Sequence, residues 1–153
     1  MSDNDLIRLY SGRILELAAD IPHLGRLAAP QGSARRRSPL CGSTITADVV
    51  LQDGRIADFA QEVKACALGQ AAAAVLGSVV IGRSLAELES ARDALSAMLK
   101  ESGPVPAAPF TEFEVLTPAR DFKHRHASIL LALEAACAAV TEAMAGAGPD
   151  RMV

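Results

Sequence analysis

Apolar and polar positions alternate along this chain with two periods, and the switches between them divide it into elements. Ile7, Tyr10, Ile14, Leu17 and Ala18 recur every three or four residues, the stripe of an amphipathic helix that ends before Pro22. Residues 28 to 39 have no such stripe. Rich in Pro, Gly, Ser and Arg, they read as a loop that includes a short polar edge strand. The period then drops to two. Ile45, Ala47, Val49 and Leu51 interleave with Thr44, Thr46, Asp48 and Val50, which predicts a half-buried strand with the second set facing outward. Asp53-Gly54 is a hairpin turn signal, so a second strand returns over about Arg55 to Val63.

From Cys66 the chain becomes a run of alanine and glycine, which predicts a slim helix to about Ile81. Ser84, with Glu87 three residues on, is a capping box that opens the next helix, whose apolar face is Leu85, Leu88, Leu95, Met98 and Leu99. The prolines and glycine of GPVPAAP mark a loop. FTEFEVLTPARDFKHRH has no clear period, and a last apolar helix follows over about His124 to Ala145, with a frayed tail after it. The order is one helix, a small antiparallel sheet, then three to four helices. This is an α+β fold with the helices on one face of the sheet. At 153 residues, 1–153 reads as a single domain that can bury a core without disulfides or a structural metal.

Composition narrows the function classes. The formal charge of −3 argues against nucleic acid as a partner. Arg35-Arg36-Arg37 is then either a solvated strand edge or a docking patch for an acidic protein. Apolar runs are interrupted before membrane-spanning length, and the polar, acidic start does not resemble a secretory signal, so a cytoplasmic protein with no membrane contact is expected. Aromatics are only 3%, leaving a core of aliphatic and small residues.

Three cysteines, Cys41, Cys66 and Cys137, stand far apart with no CxxC pair. The hairpin relates the first two: each lies about twelve residues from the Asp53-Gly54 turn, one on either side, so antiparallel pairing brings both to one end of the sheet. Two thiolates there suit a soft metal or an iron–sulfur unit, and two packed core thiols are the alternative. KHRHAS is the histidine-dense stretch. His126, at the start of the last helix, is a candidate third ligand or a solvated cap. Cys137 lies eleven residues further, about 16 Å along a helix, and reads as a core thiol. Enzyme signatures are absent: there is no Ser-His-Asp pattern, phosphate loop, dinucleotide fingerprint or HExxH, and the chain reads as non-enzymatic. A Cys66–His126 nucleophilic pair remains open on spacing.

Three segments carry a family resemblance. YSGRILELAADIPHLGRL resembles the opening helix of the iron–sulfur cluster assembly scaffolds, the IscU, SufU and NifU N-terminal group. PLCGSTITADVVLQDGRIADFAQEVKACALGQAAAA resembles its signature section, a cysteine-glycine before a strand, a hairpin, then a cysteine opening a small-residue helix. RHASILLALEA resembles its histidine-cysteine segment. The likeness implies a carrier that takes sulfur from a cysteine desulfurase, builds a [2Fe–2S] cluster or holds iron at Cys41, Cys66 and His126, and passes the product to apo-proteins. It also implies two departures. Ser43 stands at the family's aspartate, and Ala127 at its third cysteine unless the register shifts by one and puts His126 there. A fourth ligand would come from His124, from a partner or from a second subunit, as in a homo-oligomer. Zinc fits three protein ligands plus water. Two alternatives therefore stand beside the scaffold: a zinc-containing sulfur acceptor, and a metal-free degenerate scaffold. LTPAR resembles the family's chaperone-recognition stretch, which adds a chaperone to the candidate partners.

Overall fold

The structure is a computed structural model and describes residues 11–39 and 42–146. The first helix among the described residues, α1, spans Gly12–Ala19, with the Ser11 hydroxyl accepting from the Ile14 amide and with Ile14 and Leu17 buried. The predicted contributions of Ile7 and Tyr10 lie outside the described residues, as does the tail beyond Gly146. Three antiparallel strands follow in the order β1 (Gly32–Arg37), β2 (Thr44–Gln52), β3 (Arg55–Lys64). The expected polar edge strand is thus β1. Asp53 and Gly54 both have positive φ, 55° and 76°, which gives the two-residue turn a twist matching the strands it joins.

On β2 the alternation holds: Ile45, Ala47 and Val49 are fully buried beneath the helices. Asp48 departs from it. Predicted to face outward, it has no exposed surface, because the chain before β1 folds over this end of the sheet. Arg26 Nε and Nη2 donate to its carboxylate at 2.7 and 3.1 Å, joined by the Leu27 amide at 3.0 Å and the Ser33 hydroxyl at 2.6 Å. Burial raises the Asp48 pKa, but these hydrogen bonds outweigh it and hold the carboxyl below its ordinary range.

The helical layer contains α2 (Ala67–Val79), α3 (Leu85–Lys100) and α4 (His126–Gly146). Helix α2 ends two residues before the predicted Ile81, and most of its residues are buried. Its alanines let α1 and α4 both pack closely against it. Both bonds of the Ser84–Glu87 capping box are present at the start of α3. The aperiodic stretch forms 3-10 helices at Thr111–Asp121 and Lys123–Arg125, and α4 starts at His126 rather than His124. Lys123–Gly146 is long and apolar enough by composition to cross a bilayer, yet most of it is buried inside the fold. Helix α4 lies on β1 and β2, where a Cβ at Gly32 would collide with the Ala139 carbonyl and the Ala143 backbone. The result is the expected α+β architecture, with the helices gathered on one face of the sheet.

Candidate functional site

Strand β3 delivers the chain to Cys66, which is the N-cap residue of α2 with extended backbone angles, φ −66° and ψ 169°. Its side chain makes no capping bond, so the thiol is available to other partners. It lies half-buried, with Sγ 3.5 Å from the Ser128 hydroxyl on the first turn of α4. That hydroxyl also lies 3.0 Å from Ser43 Oγ, just before β2; its single proton goes to Ser43 beside the neutral thiol and turns to the sulfur of the thiolate. Three elements thus converge on one end of the sheet. Gly69 makes the convergence possible: a Cβ there would come within 2.7 Å of Ser128 Oγ. The slimness of α2 therefore brings the start of α4 to the thiol.

The electrostatics favour a thiolate. Burial pushes the Cys66 pKa up, but the Ser128 hydroxyl, the Gly69 and Leu68 amides and the Arg125 side chain pull it further down, to below the ordinary thiol value. Amides at a helix N-terminus carry partial positive charge that favours a nearby thiolate, even though none closes a capping bond to Cys66.

His126 is buried and its ring is committed. Nε2 lies 2.8 Å from the Ala119 carbonyl and 3.1 Å from that of Arg120. Carbonyls only accept, so Nε2 carries a proton, and in the neutral ring Nδ1 is the atom that holds the lone pair. The histidine thus ties the end of the Thr111–Asp121 helix to the start of α4. His124 stands exposed on the 3-10 turn, and its ring hydrogen-bonds none of the described residues. Ala127, half-buried, offers no donor atom. Cys41 lies outside the described residues. Among the described residues that flank it in sequence, the Ser38 amide donates to the Ser43 carbonyl and the Gly42 amide to the Ser38 carbonyl. No group of three His, Cys, Asp or Glu side chains forms a metal site among the described residues. The described donors near Cys66 are instead hydroxyls.

Cys137 sits mid-way along α4, buried as expected of a core thiol, and burial pushes its pKa up to about 11. The LTPAR stretch is also largely internal. Leu116 and Ala119 are buried, and Arg120 donates to the carbonyls of Met98 and Gly103 at 2.7 and 2.9 Å, which closes the C-terminal end of α3. Sequence reasoning missed Ser128 and Arg125. The signal for Ser128 was a lone hydroxyl in an otherwise apolar run, two residues after His126.

The sequence profile of the NifU-like N-terminal domain matches residues 9–129. The chain belongs to that family. Among solved structures it is similar to a nitrogen-fixing NifU-like protein (N-terminal) from Brucella abortus, with 44% identity, a TM-score of 0.89 and coverage of 92% of this chain and 98% of that one. A protein from the thermophile Fervidobacterium islandicum AW-1, described as a candidate iron–sulfur cluster assembly scaffold for the SUF system, shares the fold at 18% identity and a TM-score of 0.76, covering 88% of this chain and 98% of that one. No curated protein matches the chain. This NifU-like domain thus keeps the family fold, with Ser128 and Ser43 beside its described thiol.

Proposed function

We propose that this NifU-like domain is a non-enzymatic iron–sulfur cluster assembly scaffold or carrier. Its cargo is a nascent [2Fe–2S] cluster or iron, held by Cys66 with Cys41 and His126 and released to apo-proteins, with a cysteine desulfurase supplying sulfur. The observation that carries this reading is the half-buried Cys66 thiol at the N-terminus of α2, against Ser128 on the first turn of α4 and, through it, Ser43. Thiolate sulfur and imidazole nitrogen are soft donors suited to iron with sulfide, and to zinc. His126 would ligate through Nδ1, because Nε2 is tied to carbonyls. The hydrogen bond from a carbonyl-anchored ring N–H fixes the orientation and tautomer of such a ligand.

A second reading is favoured by the Arg125 side chain beside a thiol of lowered pKa. Cys66 would then accept sulfur. Its thiolate attacks the outer sulfur of a desulfurase persulfide, a new S–S bond forms, the old one breaks, and the desulfurase cysteine leaves as thiolate.

Anaerobic reconstitution with iron and sulfide, followed by elemental analysis and an absorption spectrum, tests the scaffold reading. The expected result is bound iron and sulfide with visible charge-transfer bands that Cys41→Ser and Cys66→Ser each lose. Stoichiometric zinc that iron cannot displace, with a persulfide on Cys66 after incubation with a desulfurase, supports the acceptor. Full iron content in both variants would overturn the proposed site.

A further inference from the structure

The face of the sheet opposite the helices carries a charge pattern that the thiol site does not use. Because side chains alternate along a strand, the residues between Ile45, Ala47 and Val49 point away from the helical layer. Two rows cross all three strands on that open face: Arg37, Thr44, Lys64 and Arg35, Thr46, Glu62. A cavity of about 430 Å³ lies there, lined by members of both rows together with Arg26.

Its charges are sorted. The Arg26 guanidinium is met by Asp48 at 2.7 Å and by Glu62 at 3.7 Å, so the cation at that end is neutralised. Arg35, Arg37 and Lys64 make no ion pair among the described residues, and the two threonines supply hydroxyls between them. The chain as a whole is acidic, with a formal charge of −3, so this cationic end is a local arrangement. Arginines on an edge strand also discourage strand-to-strand pairing. That purpose accounts for single cations at either edge of the sheet but not for Arg37 and Lys64 standing in one row on opposite sides of Thr44. The cationic row also leads to the thiol: Lys64 precedes Cys66 by two residues.

We propose that the open face of the sheet docks an acidic segment of a partner protein, whose Asp and Glu carboxylates meet Arg35, Arg37 and Lys64 and whose polar groups meet Thr44 and Thr46. A protein segment fits better than single-stranded nucleic acid. Neither row offers an aromatic side chain on which a base could stack, and Glu62 would oppose a continuous phosphate backbone. The inference goes beyond the scaffold function and needs no cargo at Cys66, so metal-free protein tests it and cargo loading is measured separately.

The probe is a fluorescein-labelled peptide of alternating glutamate and serine, titrated by anisotropy against metal-free protein. Binding is expected at low salt and is weakened by added salt, as for exposed charge pairs. Arg35→Glu/Arg37→Glu/Lys64→Glu is expected to weaken it by about tenfold or more. The neutral set Arg35→Gln/Arg37→Gln/Lys64→Gln should give a smaller loss and serves as the readout if the reversed set does not fold by circular dichroism. Arg92→Glu, on α3 in the helical layer, should leave binding unchanged. Three outcomes would each overturn the proposal: no binding of the peptide, binding unaffected in the neutral set, or tighter binding of a single-stranded oligonucleotide of matched charge.

Discussion

Cys66 and Cys137 lie in the same helical layer, and their surroundings push them in opposite chemical directions. Cys66 is an N-cap residue, half-exposed, with a hydroxyl, backbone amides and an arginine drawing its pKa down. Cys137 is mid-helix and buried, and desolvation dominates even though Arg92 is near enough to oppose it. A thiolate needs donors aimed at sulfur, and a helix interior has none to spare, since its amides are bonded to the preceding turn. Residue type does not separate the two cysteines; position along a helix does.

The sharpest way to break the comparison is to remove each sulfur. Cys66→Ser should abolish iron retention after anaerobic reconstitution with the fold intact by circular dichroism. Cys137→Ser should retain the iron and lose about 1 kcal/mol of stability in a urea melt. Equal iron loss in both would dissolve the distinction. Gly32→Ala comes next, and it strikes the Cys137 end. Its methyl would overlap the backbone of α4 at Ala139 and Ala143, at a cost of about 3 kcal/mol, while iron per folded molecule stays unchanged.

Reactivity sharpens the contrast further. In metal-free protein near pH 8, iodoacetamide should modify Cys66 at least about tenfold faster than Cys137, read by mass spectrometry of the labelled peptides. The same shifts set opposite pH trends in stability. Cys66 has a lowered pKa, so its contribution is present above the unfolded thiol value and is lost as pH falls through the folded value. Cys137 has a raised pKa, so its contribution is present below the unfolded value of 9.0 and is lost as pH rises through about 11. Cys137→Ala should therefore flatten the alkaline decline in a pH series of urea melts. The smallest effect belongs to Ser128→Ala. It removes a hydrogen bond to Cys66 and one to Ser43, costs about 1 kcal/mol, and moves the alkylation midpoint of Cys66 upward. An unchanged midpoint would mean that the amides and Arg125 alone set the thiol.

Much of the fold was legible in the chain because its signals are local. The Ile45–Ala47–Val49 alternation, the Asp53-Gly54 turn and the Ser84–Glu87 box each depend on a few neighbouring residues, and each appears where expected. Asp48 was misplaced because its partner Arg26 comes from a segment 22 residues away that folds over the sheet. The 3-10 helix at Thr111–Asp121 escaped notice because it follows neither the helical nor the strand period.

The site divides in the same way. Sequence alone was enough to mark Cys66 as the head of a helix that follows the hairpin, and to separate it from the core thiol Cys137. Only the tertiary structure decided that Ser128 and Arg125 attend the thiol, that His126 turns Nε2 to the carbonyls of Ala119 and Arg120, and that Gly69 lets α4 come close enough to do so. Helix caps and strand registers follow from contacts within a few residues or across one turn. A thiol's partners come from wherever the chain has been packed, and here the serine that meets Cys66 is 62 residues away.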